Sequence, residues 1–109
     1  MQELEIPYRV VNIAVNDLGA SAAMKYDLEA WLPGQGRYRE LTSTSNTTDY
    51  QARRSGIRFR AGEKQLETPH TLNGTAVTDR CALAILENFG GDVPDVLRAY
   101  GAPERIEKR

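Results

Sequence analysis

A chain of 109 residues has room for one domain with a modest core. A net charge of -1, with 40% apolar and 27% charged residues, excludes wholesale electrostatic capture of nucleic acid or a membrane surface. The single cysteine, Cys81, excludes an intrachain disulfide and a multi-cysteine zinc site; no apolar run is long enough to span a bilayer, no signal peptide is evident, and a cytoplasmic location is the expectation.

Residues 1–7 are a lead-in, with Pro7 favouring an extended approach. Residues 8–15 (Tyr-Arg-Val-Val-Asn-Ile-Ala-Val) are rich in β-branched side chains and predict a strand. Adjacent Val10 and Val11 break its alternation, which predicts burial on both faces for part of its length. A turn at 16–19 and one helical turn at 20–23 lead to a second strand over 24–32. Here Tyr26, Leu28, Ala30 and Leu32 share one face, and Lys25, Asp27, Glu29 and Trp31 the other. The second set suits either a solvated outer face or the polar wall of a ligand cleft. After the turn Pro33-Gly34-Gln35-Gly36, a third strand covers 38–45. Arg39, Leu41, Ser43 and Ser45 share one of its faces; Tyr38, Glu40, Thr42 and Thr44 share the other. Its hydroxyls are dense for a core strand and need partners or water.

Residues 46–49 read as a helix start, with Thr47 or Thr48 as the cap and Asp49 in the first turn. A short helix over 50–55 ends at Gly56, with Arg53 and Arg54 near its C-terminus, where cations are favoured. A strand at 57–60, a turn at 61–64 and a return at 65–68 predict a hairpin. Pro69 then introduces a strand, a tight turn holding Asn73, Gly74, Thr75 and Thr78, and a helix over about 79–89. Cys81, Ala84, Ile85 and Asn88 mark one stripe of that helix, and Ala82, Leu86 and Phe89 widen it, so the helix is expected to be largely buried. Cys81 then reads as a small hydrophobe. Gly90-Gly91 stops the helix, residues 93–100 predict a helical turn from Pro94, and 101–109 a charged flexible tail. The sum is an α+β layer: three or four antiparallel strands, a short helix, a hairpin and a longer helix.

The stretch 70–88 carries the clearest chemistry. A strand ending in hydroxyls, then a helix start bearing Arg80, suits an anionic group, because helix N-terminal N–H groups favour negative charge and Arg grips phosphate through two parallel donors. An ordinary helix capped by Thr78 or Asp79, with a solvated Arg80, uses the same residues.

Ile6-Pro7-Tyr8-Arg9-Val10-Val11, Asp17-Leu18-Gly19 with Ser21-Ala22-Ala23, and Tyr26-Asp27-Leu28-Glu29-Ala30-Trp31-Leu32-Pro33 begin a run of motifs. Tyr38-Arg39-Glu40, Ser43-Thr44-Ser45-Asn46 and Asp49-Tyr50-Gln51-Ala52-Arg53-Arg54 continue it in order. The run resembles the last part of the seryl-tRNA synthetase catalytic domain. Thr71-Leu72-Asn73-Gly74-Thr75, Arg80 and Ile85-Leu86-Glu87-Asn88 resemble that family's class II motif 3, and Val93-Pro94 with Leu97 its C-terminal end. The resemblance covers roughly residues 4–100.

It implies a partial class II synthetase core, an antiparallel sheet flanked by helices, occupying residues 1–100 with motif 3 at 70–88. Family enzymes activate serine with ATP and Mg²⁺, transfer it to tRNA(Ser), and work as homodimers. By resemblance, Glu40 and Ser43 match positions that hold the metal and the ATP phosphates; carboxylate and hydroxyl oxygens are ligands Mg²⁺ takes. Arg80 matches the motif 3 arginine that clamps the γ-phosphate side of ATP. Thr75, with Asn73, matches the region that contacts serine. Asn46, Gln51 and Arg53 match a segment that braces the site, and no residue is assigned as reacting itself. The family's tRNA-gripping arm, motif 1 and motif 2 have no counterpart in these residues. The expectation is therefore a core part that is inactive alone and needs a homodimer partner or a complementary synthetase half. The alternative is a stand-alone relative serving as a non-catalytic ligand- or protein-binding module. Direct tRNA binding is not expected from the balanced charge. Four residues separate Thr75 from Arg80, one fewer than usual in the family, and Asp79 is a carboxylate placed to compete with phosphate for Arg80.

Overall fold

The computed structural model describes residues 1–107. In chain order the elements are β1 (Tyr8–Asn12), β2 (Met24–Leu32), β3 (Arg37–Asn46), α1 (Tyr50–Arg54), β4 (Phe59–Arg60), β5 (Leu66–Glu67), β6 (Leu72–Thr75), α2 (Asp79–Phe89) and α3 (Asp95–Arg98). Single 3-10 turns occupy Val15–Asp17 and Pro33–Gln35. The main sheet has the order β1-β2-β3-β6, and β4 pairs with β5 in a separate two-stranded hairpin. The expected α+β class holds. The short link between β2 and β3 is closed by Gly36 at φ 62°, a left-handed conformation glycine adopts without a Cβ clash. So brief a link joins antiparallel neighbours.

The chain divides into two compact units. The first comprises residues 1–10, 28–42 and the described part of 76–109. Its core is Ile6, Ala30, Leu32, Leu41 and Ala84, with Met1, Leu4, Cys81, Ile85 and Phe89 packed against it. Ala30 and Leu32 come from the apolar face of β2, as alternation predicts. α2 contributes through Cys81, Ala84 and Ile85. Its buried stripe is narrower than expected, since Ala82 and Leu86 are exposed. One helix face packed on one core leaves the flanking positions to solvent. Asn88 Nδ2 donates to Trp31 O at 2.9 Å, and Glu87 Oε2 accepts from Gly34 N at 2.8 Å, tying the second half of α2 to the link between β2 and β3. Gly90, at φ 62°, ends α2. On the polar face of β2, Arg9 pairs with Glu29 and lies 4.6 Å from the Tyr38 ring centroid; Tyr38 meets Trp31 edge-on at 5.3 Å. At the charged end, Val93 N donates to Glu104 O at 3.0 Å and Ile106 N to Gly91 O at 2.8 Å, so residues 104–106 are paired where the sequence suggested a flexible tail. Residues 108–109 of that tail lie outside the described residues.

The second unit comprises residues 11–27 and 43–75. Here β3 and β6 run antiparallel with Ser43 opposite Thr75, Thr44 opposite Gly74, Ser45 opposite Asn73 and Asn46 opposite Leu72. Asp27 is buried, with Lys25 Nζ 2.9 Å from its Oδ1, so the solvated alternative for this part of β2 does not hold. The predicted hairpin forms as β4–β5.

Two expectations about boundaries are corrected. The first strand stops at Asn12, and Val10 is 57% exposed instead of buried on both faces. β1 lies at the outer edge of the sheet, with a strand neighbour on one side only. The cap of α1 is Asp49, which forms an ion pair with Arg53 at 3.0 Å, while Thr47 is buried and used elsewhere.

Candidate functional site

In the first unit, Arg80 is the second residue of α2 and is exposed. Its Nη1 donates to the backbone oxygen of Glu40 at 2.6 Å. Thr78, the N-cap residue, donates from Oγ1 to Leu41 O at 2.8 Å. Two successive carbonyls of β3 thus hold the start of α2, and the Arg80 guanidinium is anchored beside Glu40. Four further N–H donors remain on a guanidinium after one bond, enough for a bidentate contact with an anion. Asp79 does not capture Arg80: it makes no ion pair among the described residues. Residues adjacent in a helix point 100° apart, so neighbours in sequence do not face each other. Glu40 itself is half-buried on β3.

In the second unit, Asn73, Gly74 and Thr75 lie in β6 and not in a turn. Their strand character comes from the ladder with β3, a pairing between residues about thirty positions apart in sequence. The register puts Ser43 opposite Thr75 and Ser45 opposite Asn73. Since alternate residues share a face, Ser43, Ser45, Asn73 and Thr75 form one hydroxyl and amide patch, with opposed Cβ atoms about 5 Å apart. A Cβ at Gly74 would stand 3.4 Å from both Ser43 O and Thr44 Oγ1, an ordinary contact, so the ladder itself does not require glycine there. Ser45 is the member of the patch that sequence reasoning passed over, and alternation with Ser43 was the signal for it.

Around the buried Thr47, a polar knot with half-buried Thr71 and Gln51 holds the loop before α1. Thr47 Oγ1 donates to Thr71 O at 2.8 Å and meets Thr71 Oγ1 at 2.6 Å; Thr71 Oγ1 also donates to Gln51 Oε1 at 3.1 Å. Backbone bonds Thr47 N to Thr71 O (3.0 Å) and Thr71 N to Thr48 O (2.9 Å) complete it. Asn46 Oδ1 accepts from Thr48 N at 2.9 Å and stabilises the turn in which Thr48 takes φ 47°, a costly value for a β-branched residue. Asn46 and Gln51 thus act on the loop and helix behind the patch, whereas Arg53 is exposed and engaged with Asp49. The sequence offers Thr47 only as a candidate helix cap and Thr71 only as part of the motif 3 resemblance, with no sign that the two meet. Their partners are more than twenty residues apart.

Among the described residues no group of three His, Cys, Asp or Glu side chains could hold a metal ion alone, and no helix is long and apolar enough to cross a membrane.

The model of the tRNA synthetase class II core domain family (G, H, P, S and T) matches residues 1–89. The chain is 63% identical over 109 residues to the serine–tRNA ligase of Rubrobacter xylanophilus, covering 94% of this chain and 26% of that protein. It is 56% identical over 102 residues to the serine–tRNA ligase of Thermobifida fusca, covering 89% of this chain and 24% of that one. Among solved structures, seryl-tRNA synthetase from Pyrococcus horikoshii complexed with ATP is similar with a TM-score of 0.89 and 53% identity, over 99% of this chain and 26% of that chain. The cytoplasmic serine–tRNA ligase of Naegleria fowleri in complex with AMP is similar with a TM-score of 0.85 and 44% identity, over 99% and 28%. The chain spans about a quarter of the length of these relatives. It belongs to the class II tRNA synthetase core family, and within that family it resembles the seryl-tRNA synthetases.

Proposed function

We propose that this chain is the motif 3 part of a serine–tRNA ligase catalytic core, holding ATP and serine for adenylate formation, and that it is not self-sufficient. The observation that carries this is the anchoring of the Arg80 guanidinium on the Glu40 carbonyl at the start of α2, within a chain similar at TM-score 0.89 to a synthetase complexed with ATP. In this reading Arg80 binds the terminal phosphates of ATP. Glu40 and Ser43 supply oxygen ligands of the kind Mg²⁺ takes. A divalent ion that binds through one or two protein oxygens, water and substrate phosphates needs no cluster of acidic residues, which fits the donors present. When bound, such an ion neutralises phosphate charge. Thr75 and Asn73 recognise serine through its small polar groups, rejecting analogues that leave them unpaired. Asn46 and Gln51 brace the segments that follow β3 and precede β6, whereas Arg53, paired with Asp49 on the surface, does not join them. The sheet edges formed by β1 and β6 pair with a second copy or a complementary synthetase half, because unpaired strand groups favour such addition.

The test is a chimera in which this chain replaces the matching quarter of the Rubrobacter xylanophilus enzyme. Serine-dependent pyrophosphate exchange is expected from the chimera and none from the 109-residue chain alone. Arg80→Ala in the chimera should lower exchange by about 10²–10³-fold, the usual loss for a preorganised charge-stabilising donor. Exchange by the chain alone would refute the dependence on a partner. A folded but inactive chimera, with adenylate-analogue binding retained by the chain, would instead support a non-catalytic ligand-binding module.

A further inference from the structure

The net charge of -1 hides a local concentration. Residues 53–64 hold five cations (Arg53, Arg54, Arg58, Arg60 and Lys64) against one carboxylate, Glu63. All of these side chains are exposed. Arg53 is engaged with Asp49, and Arg54 stacks 3.4 Å from the Tyr50 ring centroid. Arg58 and Arg60 are different. Arg58 Nη1 donates to Ile57 O at 2.8 Å and Arg60 Nη1 to Glu63 O at 2.8 Å, both backbone acceptors. Neither guanidinium has a carboxylate partner among the described residues. Each is therefore steered by a carbonyl while its charge stays uncompensated.

The hairpin register sorts the remaining groups. Arg60 is opposite Leu66, and Phe59 is opposite Glu67. Opposed residues share a face, so Glu67 lies on the face of Phe59, away from Arg60, where it accepts from Gln65 Nε2 at 2.6 Å. Arg58 immediately precedes β4 and Arg60 ends it, so two exposed guanidinium forks stand two residues apart beside one hairpin, each able to grip a phosphate through paired donors. Phe59, the aromatic of the hairpin, shares the face of Glu67, and Arg60 shares its face with Leu66.

We propose that the β4–β5 hairpin is an RNA-backbone contact surface, with Arg58 and Arg60 binding phosphates of the tRNA acted on by the ligase core. The choice of tRNA over other RNA rests on the functional reading above. Binding is by charge and position and carries no base specificity of its own.

The test is fluorescence anisotropy of a fluorescein-labelled serine tRNA transcript titrated with the 109-residue chain at several salt concentrations. The native chain should bind with an affinity that falls linearly on a log–log salt plot. The double variant Arg58→Gln, Arg60→Gln should bind about tenfold more weakly near 0.1 M salt, with the slope reduced by about 1–2. Glu63→Gln, an independent arm that needs no arginine removed, should tighten binding about two- to threefold. No RNA binding by the native chain, or unchanged affinity and slope in both variants, would overturn the proposal. So would arginine-dependent capture by phosphatidylserine vesicles in place of RNA. Pyrophosphate exchange by the chimera uses no tRNA and separates the two readings. Exchange without hairpin-dependent RNA binding sinks the hairpin alone; hairpin-dependent binding without exchange sinks the ligase reading alone.

Discussion

The two compact units are held by different physics. The first is closed by aliphatic packing: Leu32, at 0% exposure, and Leu41, at 1%, fill a core with Ile6, Ala30 and Ala84. The second has little apolar interior. Its buried positions are Ala52, Thr47 and Asp27, and a hydrogen-bonded knot of Thr47, Thr71 and Gln51 takes the place of a core. Aliphatic packing is non-directional and tolerates swaps of similar volume. A polar knot around a buried hydroxyl tolerates fewer, because removing Thr47's partners leaves its buried oxygen unpaired. The hydroxyl patch of Ser43, Ser45, Asn73 and Thr75 belongs to the unit with the second kind of support, where geometry is specified more tightly than by packing alone.

Substitutions can break this contrast in order of size. Leu41→Ala should destabilise the chain by about 2–5 kcal/mol in thermal or urea unfolding, and Leu41→Met by less than about 1.5 kcal/mol, since only volume matters there. Thr47→Val preserves shape and should still cost about 1–3 kcal/mol, whereas Thr47→Ser should recover most of it. If Thr47→Val were as mild as Leu41→Met, the polar-knot account would be wrong. Edge pairing gives a different check. With β1 and β6 at the sheet edges and Leu72 exposed at 75%, sedimentation should show a dimer, which a Lys at position 72 disrupts. A sharp monomer peak for the native chain would count against edge pairing. The smallest effect belongs to the exposed ion pair of Asp49 and Arg53: Asp49→Asn should change stability by no more than about 0.5 kcal/mol, and less in high salt.

Much of the fold was legible from spacing. Strict alternation over 24–32 predicted β2 to the residue, and the stripe Cys81, Ala84, Ile85, Asn88 with Gly90 predicted α2. These are signals in which neighbouring residues suffice, because side-chain period and the terminating glycine are properties of the element itself. Asn73 and Thr75 failed on the same ground. Small polar residues around a glycine look like a turn, and only the partner strand β3 converts them into a ladder. Asp49 won the cap position because Thr47 found Thr71, a partner that local propensity does not contain. Arg80 and Asp79 looked like competitors in a one-dimensional list, while the helix turns them apart and sends Arg80 to the carbonyl of Glu40.

The sequence by itself determined the α+β class, the identity and order of the main elements, and the family, through motifs whose residues are present whatever their surroundings. Tertiary structure alone decided which hydroxyls face one another, which carbonyl anchors Arg80, and that Thr47 and Asp27 are buried. Those outcomes depend on register and on contacts across tens of residues. A shift of one position would send every side chain of β6 to the opposite face, and no local preference forbids that shift.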